Sequence, residues 1–148
     1  MTLGTLLIVD DEPGIRESLV DHFEGRGLRV LAAATGGEAL RQAAANLVDV
    51  MLVDQRLPDM SGLDVLRTFR SRDDDVEAVM MTAFADVGSA VAAMKAGAAD
   101  FILKPFDLGD LDRMVTRAAE RRCLQRELEV VRRSGKGESE LRSVSGEP

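Results

Sequence analysis

Three carboxylates that follow two apolar runs are the residues best suited to carry chemistry. Asp10 and Asp11 follow the run 6–9, and Asp54 follows the run 50–53. A short apolar run that ends at polar turn residues is typical of a strand buried on both faces of a parallel sheet. An isolated acid in this place can be a helix N-cap or a loop residue. Two acidic ends instead indicate a shared crevice, because neighbouring parallel strands bring their carboxyl ends together.

The expected chemistry of this crevice is metal binding and phosphoryl transfer. Crowded carboxylates repel one another unless a cation lies among them. The ligands are hard oxygens, so Mg²⁺ is expected, with Mn²⁺ as the alternative and Zn²⁺ disfavoured. Thr82 and Lys104 end two further apolar runs and are expected on the same edge of the sheet. A cation, an ammonium group and a hydroxyl around a carboxylate favour the formation of an aspartyl phosphate.

Alternating strands and helices must position these residues. Pro13 suits the first turn of a helix, and Gly25 and Gly27 suit its end. A last helix is predicted from Leu108, with Asp107 as its N-cap. Apolar runs predict five strands, at 6–9, 29–33, 50–53, 78–81 and 100–103. This alternation predicts an α/β fold, a doubly wound five-stranded parallel sheet with right-handed crossovers. The flavodoxin-like strand order 2-1-3-4-5 places the first and third strands side by side.

Composition sets limits on the class of protein. The chain has 148 residues, 45% of them apolar, which suits one domain with a buried core. A formal net charge of -7 argues against binding of nucleic acid or anionic membrane by this segment, since both need a cationic surface. The single cysteine, Cys123, and the absence of a charged and then apolar leader predict a cytoplasmic protein. No apolar run is long enough to predict a membrane span.

The sequence resembles the receiver domain of two-component response regulators over residues 6–121. Each motif alone is common, but their order at successive predicted strand ends is specific. Five pieces carry the resemblance: the run 6–13, Asp54 with 57–62, Thr82 with Ala83, the segment 96–98 and the run 100–106. The resemblance implies a signalling module that is not an enzyme for other substrates and that catalyses only its own phosphorylation and slow dephosphorylation.

The resemblance assigns the metal and phosphoryl roles by position. It implies that Asp54 is the phosphoacceptor and also a ligand of Mg²⁺. Asp11 would bind the metal directly, Asp10 would act mainly through a metal-bound water, and Arg56 would supply a backbone carbonyl ligand. Arg56 and Phe84 are also expected to border the path of the hydrolytic water. Because both side chains are large and neither orients water well, they predict slow dephosphorylation.

The resemblance also implies a conformational switch. Lys104 would pair with the phosphoryl group, and its bond to Pro105 is expected to be cis. Thr82 and Phe101 match the switch pair: the Thr82 hydroxyl would move toward the phosphoryl oxygen, and the aromatic ring would turn inward. Phe in place of the frequent Tyr predicts a readout through packing. By residue type alone, an ordinary core aromatic is the better expectation for Phe101.

The partners and the output follow from the same resemblance. The segments 90–98 and 104–107 look most like receivers of NtrC-type transcriptional activators and, to a lesser degree, FixJ-like receivers. This implies a histidine kinase as phosphoryl donor. The sequence has neither a Gly-rich phosphate loop nor a basic helix-turn-helix, so no output domain is recognised in it. The chain is therefore expected to be the front of a longer protein with a transcriptional output, and the alternative is a single-domain regulator.

Two alternatives stay open. One is a receiver-like docking module that is not phosphorylated. The other is a Mg²⁺-dependent phosphatase of the haloacid-dehalogenase type, which also uses an aspartate nucleophile at a strand end. That type expects a second Asp two residues after the nucleophile, where this sequence has Arg56.

The end of the chain is expected to leave the domain as a helix. Residues 1–121 are predicted to form the receiver domain, 122–133 the protruding end of the last helix, and 134–148 a flexible linker or tail. Four-then-three spacing forms a heptad-like stripe in the protruding part, at Leu124, Leu128 and Val131. This stripe predicts a homodimer whose strength changes on phosphorylation. The alternative is a solvated amphipathic helix.

Overall fold

A computed structural model describes residues 4–72, 75–83 and 87–144, with side chains up to Arg132 except that of Val87. Strands and helices alternate along these residues, as predicted. The strands are β1 (Thr5–Val9), β2 (Arg29–Ala33), β3 (Val50–Asp54), β4 (Glu77–Ala83) and β5 (Asp100–Lys104). The helices are α1 (Pro13–Glu24), α2 (Gly36–Ala45), α3 (Gly62–Ser71), α4 (Val87–Lys95) and α5 (Leu108–Val144).

The strands form one parallel sheet in the order β2-β1-β3-β4-β5, which confirms the predicted topology. β1 lies between β2 and β3, and its register places Val9 opposite Val53. The residue after each of these valines is an aspartate, so Asp10 and Asp54 reach the same edge of the sheet together. The predicted meeting of the two acidic strand ends is therefore a consequence of strand order and register.

Hydrophobic cores lie on both faces of the sheet. Every residue of β1 and of β3 is buried. Leu7 and Val9 belong to the cluster that packs against α2, α3 and α4, whereas Leu6 and Ile8 belong to the cluster against α1 and α5. Successive side chains of a strand point to opposite faces, and here both faces are covered. This is why the central strands appear in the sequence as continuous apolar runs.

Side-chain caps set where two helices begin near the acidic edge. Ser61 and Asp64 form a capping box at α3: the Asp64 N–H donates to the Ser61 hydroxyl over 3.0 Å, and the Ser61 N–H donates to the Asp64 carboxylate over 3.4 Å. At α5 the Asp110 N–H donates to the Asp107 carboxylate over 3.2 Å, which confirms Asp107 as the predicted cap. Each cap satisfies an N–H group of the first helical turn and so fixes the residue at which the helix begins.

Gly62 allows the loop after β3 to turn back closely on the strand. Its N–H donates to the Gln55 carbonyl over 2.9 Å. A Cβ at this position would lie 2.5 Å from the Asp54 carbonyl oxygen and 2.8 Å from the Met80 side chain. Since no side chain fits there, glycine is required for the loop to stay against the end of β3.

The last helix is longer than predicted. α5 runs to Val144, past position 133, where the helical pattern was expected to end. Gly135 and Gly137 each cost a helix only about 1 kcal/mol relative to alanine and keep their N–H donors, so they need not end it. The proposed division of the chain at 121 and 133 stays a prediction. Within the described residues, no helix combines the length and the apolar character that crossing a membrane requires.

Candidate metal and phosphoryl-transfer site

Three carboxylates lie together at the carboxyl edge of the sheet. Asp10 and Asp11 directly follow β1, and Asp54 ends the neighbouring β3. One oxygen from each carboxylate lies within 4.8 Å of the others. Asp10 is fully buried and Asp54 is 8% exposed, whereas Asp11 is exposed. The predicted acidic cluster is therefore formed, and it is open to solvent on the side of Asp11.

The two neighbouring acids after β1 have different surroundings. One Asp10 oxygen accepts the Glu12 N–H over 2.9 Å, and the other accepts from Lys104 over 3.0 Å. The Asp10 backbone is also held, since its carbonyl accepts from the Arg16 guanidinium over 2.8 Å. Among the described residues, the Asp11 carboxylate has neither a hydrogen bond nor an ion pair. Asp11 is thus the carboxylate with both oxygens available to a cation.

Lys104 bridges the two buried carboxylates. Its Nζ donates to Asp54 Oδ2 over 2.7 Å and to Asp10 Oδ2 over 3.0 Å. Burial by itself would lower the pKa of Lys104, but the hydrogen bonds and charges of Asp54 and Asp10 outweigh burial and raise this pKa above its ordinary value. Lys104 therefore remains an ammonium ion at the crevice. The bond from Lys104 to Pro105 is cis, in agreement with the resemblance.

The other oxygen of Asp54 points toward the loop after β3. Asp54 Oδ1 accepts the Arg56 N–H over 3.0 Å, and the Arg56 backbone also forms an antiparallel bridge with Ser61. The Arg56 backbone therefore lies beside the acidic cluster, as a carbonyl ligand would require, while its side chain is exposed. Phe84, the other residue predicted beside the water path, lies outside the described residues.

The predicted switch pair lies on the two strands next to β3. Thr82 in β4 is 1% exposed, and its hydroxyl donates to the Ala83 carbonyl over 3.3 Å. Phe101 in β5 is half-buried and packs against the core cluster on the α4 side of the sheet. Phe101 therefore lies at the margin of this core rather than inside it. The movement of the pair stays a prediction.

Asp59 holds the loop after β3 in a way that the sequence did not indicate. Its two oxygens accept the Gly37 N–H over 2.8 Å and the Gly36 N–H over 2.9 Å. These hydrogen bonds from Gly37 and Gly36 lower the pKa of Asp59 below its ordinary value. Asp59 thus accepts hydrogen bonds from the first turn of α2, although Asp59 itself lies in the loop after β3. A contact between such distant positions has no local sequence signal.

Comparison with known proteins gives the same assignment. The family model of the response regulator receiver domain matches residues 6–116. The Regulatory protein AtoC of Escherichia coli (strain K12) is 37% identical over 126 residues, which cover 85% of this chain and 27% of AtoC. The DNA-binding transcriptional regulator NtrC of the same strain is 36% identical over 118 residues, which cover 80% of this chain and 25% of NtrC. This chain therefore spans about a quarter of the length of these two relatives.

A solved structure extends the comparison to the fold. The response regulator receiver domain protein from Clostridium thermocellum superposes with a TM-score of 0.76 at 31% identity, covering 82% of this chain and 98% of that chain. The match to the family model over most of the chain and the shared fold show that this chain belongs to the response-regulator receiver-domain family.

Proposed function

We propose that this chain is a phosphoacceptor receiver that takes a phosphoryl group from a histidine kinase onto Asp54. The observation that carries the proposal is the Lys104 ammonium held 2.7 Å from Asp54 beside two further carboxylates. An Asp54 oxygen forms the new bond to phosphorus as the phosphorus–nitrogen bond of the donor breaks, and the electron pair of that bond stays on the donor imidazole. Lys104 then pairs with the oxygens of the transferred group.

The acidic cluster suits a hard divalent cation. Asp11 is exposed and its carboxylate has no partner among the described residues, which suits a direct ligand. Both Asp10 oxygens accept hydrogen bonds from the protein, which suits contact through water. Asp54 and the Arg56 carbonyl complete the proposed set. Bound Mg²⁺, or Mn²⁺ in its place, would supply positive charge to the phosphoryl oxygens.

The response to phosphorylation is proposed to run through Thr82 and Phe101. Thr82 lies one position before the β4 residue that faces Lys104 in the sheet register, so a small shift of β4 can bring its hydroxyl toward the phosphoryl group. Phe101 packs only partly into the core and can turn further inward when Thr82 moves. The proposed readout is therefore a change in packing on the face formed by α4 and β5.

Incubation with acetyl phosphate and Mg²⁺ tests the proposal. Intact-mass measurement should show the gain of one phosphoryl group, and this gain should disappear when a chelator removes the metal. Peptide mapping should place the group on Asp54. A docking module that is not phosphorylated would keep its mass. A phosphatase would instead turn over a phosphate ester such as p-nitrophenyl phosphate. A gain on a different residue would contradict the assignment of Asp54.

Asp11→Asn should separate metal binding from folding. We expect Mg²⁺ affinity to fall by at least about tenfold and phosphorylation to fall with it, because a direct charged ligand is lost. Stability without metal should not fall, since Asp11 is exposed and only repels its acidic neighbours. Calorimetric Mg²⁺ titration and the rate of phosphorylation measure both effects. Glu12→Gln, which removes the next exposed carboxylate, is the control. Normal Mg²⁺-dependent phosphorylation of Asp11→Asn would refute the metal assignment.

Transcriptional control is the proposed output. AtoC is described as a regulatory protein and NtrC as a DNA-binding transcriptional regulator, and this chain matches about a quarter of each. The formal net charge of -7 disfavours DNA binding by this segment itself. We therefore assign DNA binding, or the control of DNA binding, to a further C-terminal segment. We also propose that the protein acts in the cytoplasm, where the histidine kinase would phosphorylate it.

A homodimer through α5 is the proposed form of association, since receiver domains often dimerise. Its stripe residues are exposed: Leu124 by 58%, Leu128 by 52% and Val131 by 64%. Such side chains on one helix face are typical of a coiled-coil partner surface. The end of α5 after Arg121 carries this whole stripe.

Removal of the α5 end should therefore weaken association. We expect the full chain to sediment partly as a dimer at about 100 µM, with a strength that changes when beryllofluoride mimics the phosphoryl group. A chain that ends at Arg121 should sediment as a monomer under both conditions. The proposed dimer through α5 would be refuted if the two chains dimerised equally well. It would also be refuted if the full chain stayed monomeric both with and without beryllofluoride.

A further inference from the structure

Asp49 is a buried carboxylate at the edge of the sheet opposite to the acidic crevice. It lies directly before β3 and is 2% exposed. Its Oδ2 accepts the Thr5 N–H over 2.7 Å, and its backbone carbonyl accepts the Glu77 N–H over 2.9 Å. Gly4, with φ of 115°, leaves no spare room, because a Cβ there would lie 2.5 Å from Asp49 Oδ2. The start of β1 therefore holds the Asp49 carboxylate, and the start of β4 holds the Asp49 backbone.

The second oxygen of Asp49 faces two arginines of α5. Asp49 Oδ1 forms an ion pair with Arg126 Nη2, and Arg122 Nε lies 3.9 Å from the same oxygen. Arg122 is 7% exposed although it follows the predicted end of the domain. Its Nη1 also lies 4.0 Å from Glu129 Oε1. A guanidinium this deeply buried needs a nearby carboxylate, and Asp49 supplies it.

A third contact lies one residue earlier on α5. Arg121 Nε donates to Glu77 Oε1 over 3.0 Å at the start of β4. This pair is partly exposed, so it contributes less than the buried one. The helix segment 121–126 is thus attached to the amino ends of two central strands, and contacts with the domain continue past position 121.

The attached residues share one face of α5. Arg122, Arg126 and Glu129 follow the four-then-three spacing that repeats along one side of a helix. The same geometry places the stripe of Leu124, Leu128 and Val131 on the opposite side, in agreement with its exposure. Contact of one helix face with Asp49 therefore decides which face points away from the domain.

We propose that Asp49, Arg122 and Arg126 form a charge anchor that makes the outer part of α5 a rigid continuation of the domain. The anchor fixes both the direction of the helix and its rotation about its own axis. A segment that follows α5 is carried at a set angle to the sheet, and the apolar stripe faces a second copy of the chain. The anchor rests on contacts present without phosphorylation, so its test is independent of the phosphoacceptor proposal.

Amide hydrogen exchange of the segment 122–132 tests the anchor. Asp49→Asn keeps an acceptor for the Thr5 N–H but removes the charge, and Arg126→Gln removes the partner charge from an accessible helix. Each variant should increase exchange in this segment by at least about tenfold, because each removes the ion pair between Asp49 and Arg126 that attaches α5 to the start of β3. The double variant should exchange no faster than the faster single variant, since both remove the same interaction. Exchange in the first turns of α5 should not change.

Arg132→Gln is the matched control, because it removes the same charge from the same helix beyond the anchor. Measurements are made at a concentration at which sedimentation shows monomers, so that dimer contacts do not protect the segment. Unchanged exchange in both single variants, an equal increase in Arg132→Gln, or additive effects in the double variant would overturn the proposal. Should Asp49→Asn unfold the domain, Arg126→Gln alone decides, since this residue lies outside the sheet.

Discussion

Asp54→Asn is expected to abolish phosphoryl uptake while the fold is kept. An amide is not a nucleophile for phosphorus, so the rate should fall by at least about a thousandfold. Lys104 and the Arg56 N–H donate to different oxygens of the Asp54 carboxylate, over 2.7 and 3.0 Å. The single asparagine carbonyl can still accept from one of these two donors. Loss of attraction to Lys104 is offset by loss of repulsion from the other acids. We therefore expect a change of less than about 1 kcal/mol in the free energy of unfolding.

Intact mass after acetyl phosphate treatment and thermal unfolding by circular dichroism measure the two effects of Asp54→Asn. Asp112→Asn is the matched control, because Asp112 is also a partly buried, ion-paired aspartate. Asp112 lies on α5 and contacts His22 of α1 over 2.6 Å and Arg26, which follows α1, over 3.1 Å. This control should be phosphorylated at the parent rate. Phosphoryl uptake by Asp54→Asn at a comparable rate would exclude Asp54 as the acceptor.

Lys104→Met should impair both stability and phosphorylation. The substitution leaves Asp10, fully buried, beside Asp54 without the cation that contacts both carboxylates. The Lys104 side chain is 18% exposed, so breaking its ion pairs costs less than breaking a fully buried pair. We therefore expect a loss of about 2 kcal/mol in the free energy of unfolding without metal. Mg²⁺ should restore part of this loss. Phosphorylation should fall by about a hundredfold, because the transferred group loses a fixed positive partner.

Two controls accompany Lys104→Met. Lys95→Met removes an exposed lysine from α4 and should change neither property. Lys104→Arg keeps the charge and should retain most of the stability, yet its planar guanidinium cannot reproduce the position of a single ammonium, so phosphorylation should still be impaired. Urea unfolding with and without Mg²⁺, together with the rate of mass gain, gives the readouts. Parent-like stability without Mg²⁺ and a parent-like rate would together refute the role of Lys104.

The pH dependence of this lysine has a definite sign. Its pKa is raised in the folded state above the ordinary value of 10.5. Because this pKa is raised, the stabilisation of the fold by the Lys104 ammonium is fully present below the pKa that Lys104 has in the unfolded state. It is lost as the pH rises through the pKa of the folded state. Titration of Lys104 therefore adds no pH dependence to the difference between parent and Lys104→Met at neutral pH. Deprotonation of Lys104 should reduce the difference in strongly alkaline buffer.

The sequence by itself determined the alternation of strands and helices, the strand order and the acidic edge. Continuous apolar runs report burial on both faces of a parallel sheet, and β1 and β3 are buried throughout. Proline at the first turn of α1 and the aspartate before α5 act on their own helices, so their effect is visible in a few neighbouring residues. Asp10 and Asp54 were expected close together because the strand order places β1 beside β3. The carboxyl ends of neighbouring parallel strands lie at the same edge of the sheet.

Only the tertiary structure decided which charges pair. Asp10 and Asp11 are adjacent in sequence, yet one is buried against Lys104 and the other is exposed. Arg126 lies between the apolar stripe residues in the sequence, yet its side chain reaches Asp49 at the far edge of the sheet. Hydrophobic periodicity reports the environment of a residue along its own element. An ion pair between distant elements leaves no such pattern, because it depends on how those elements pack against one another.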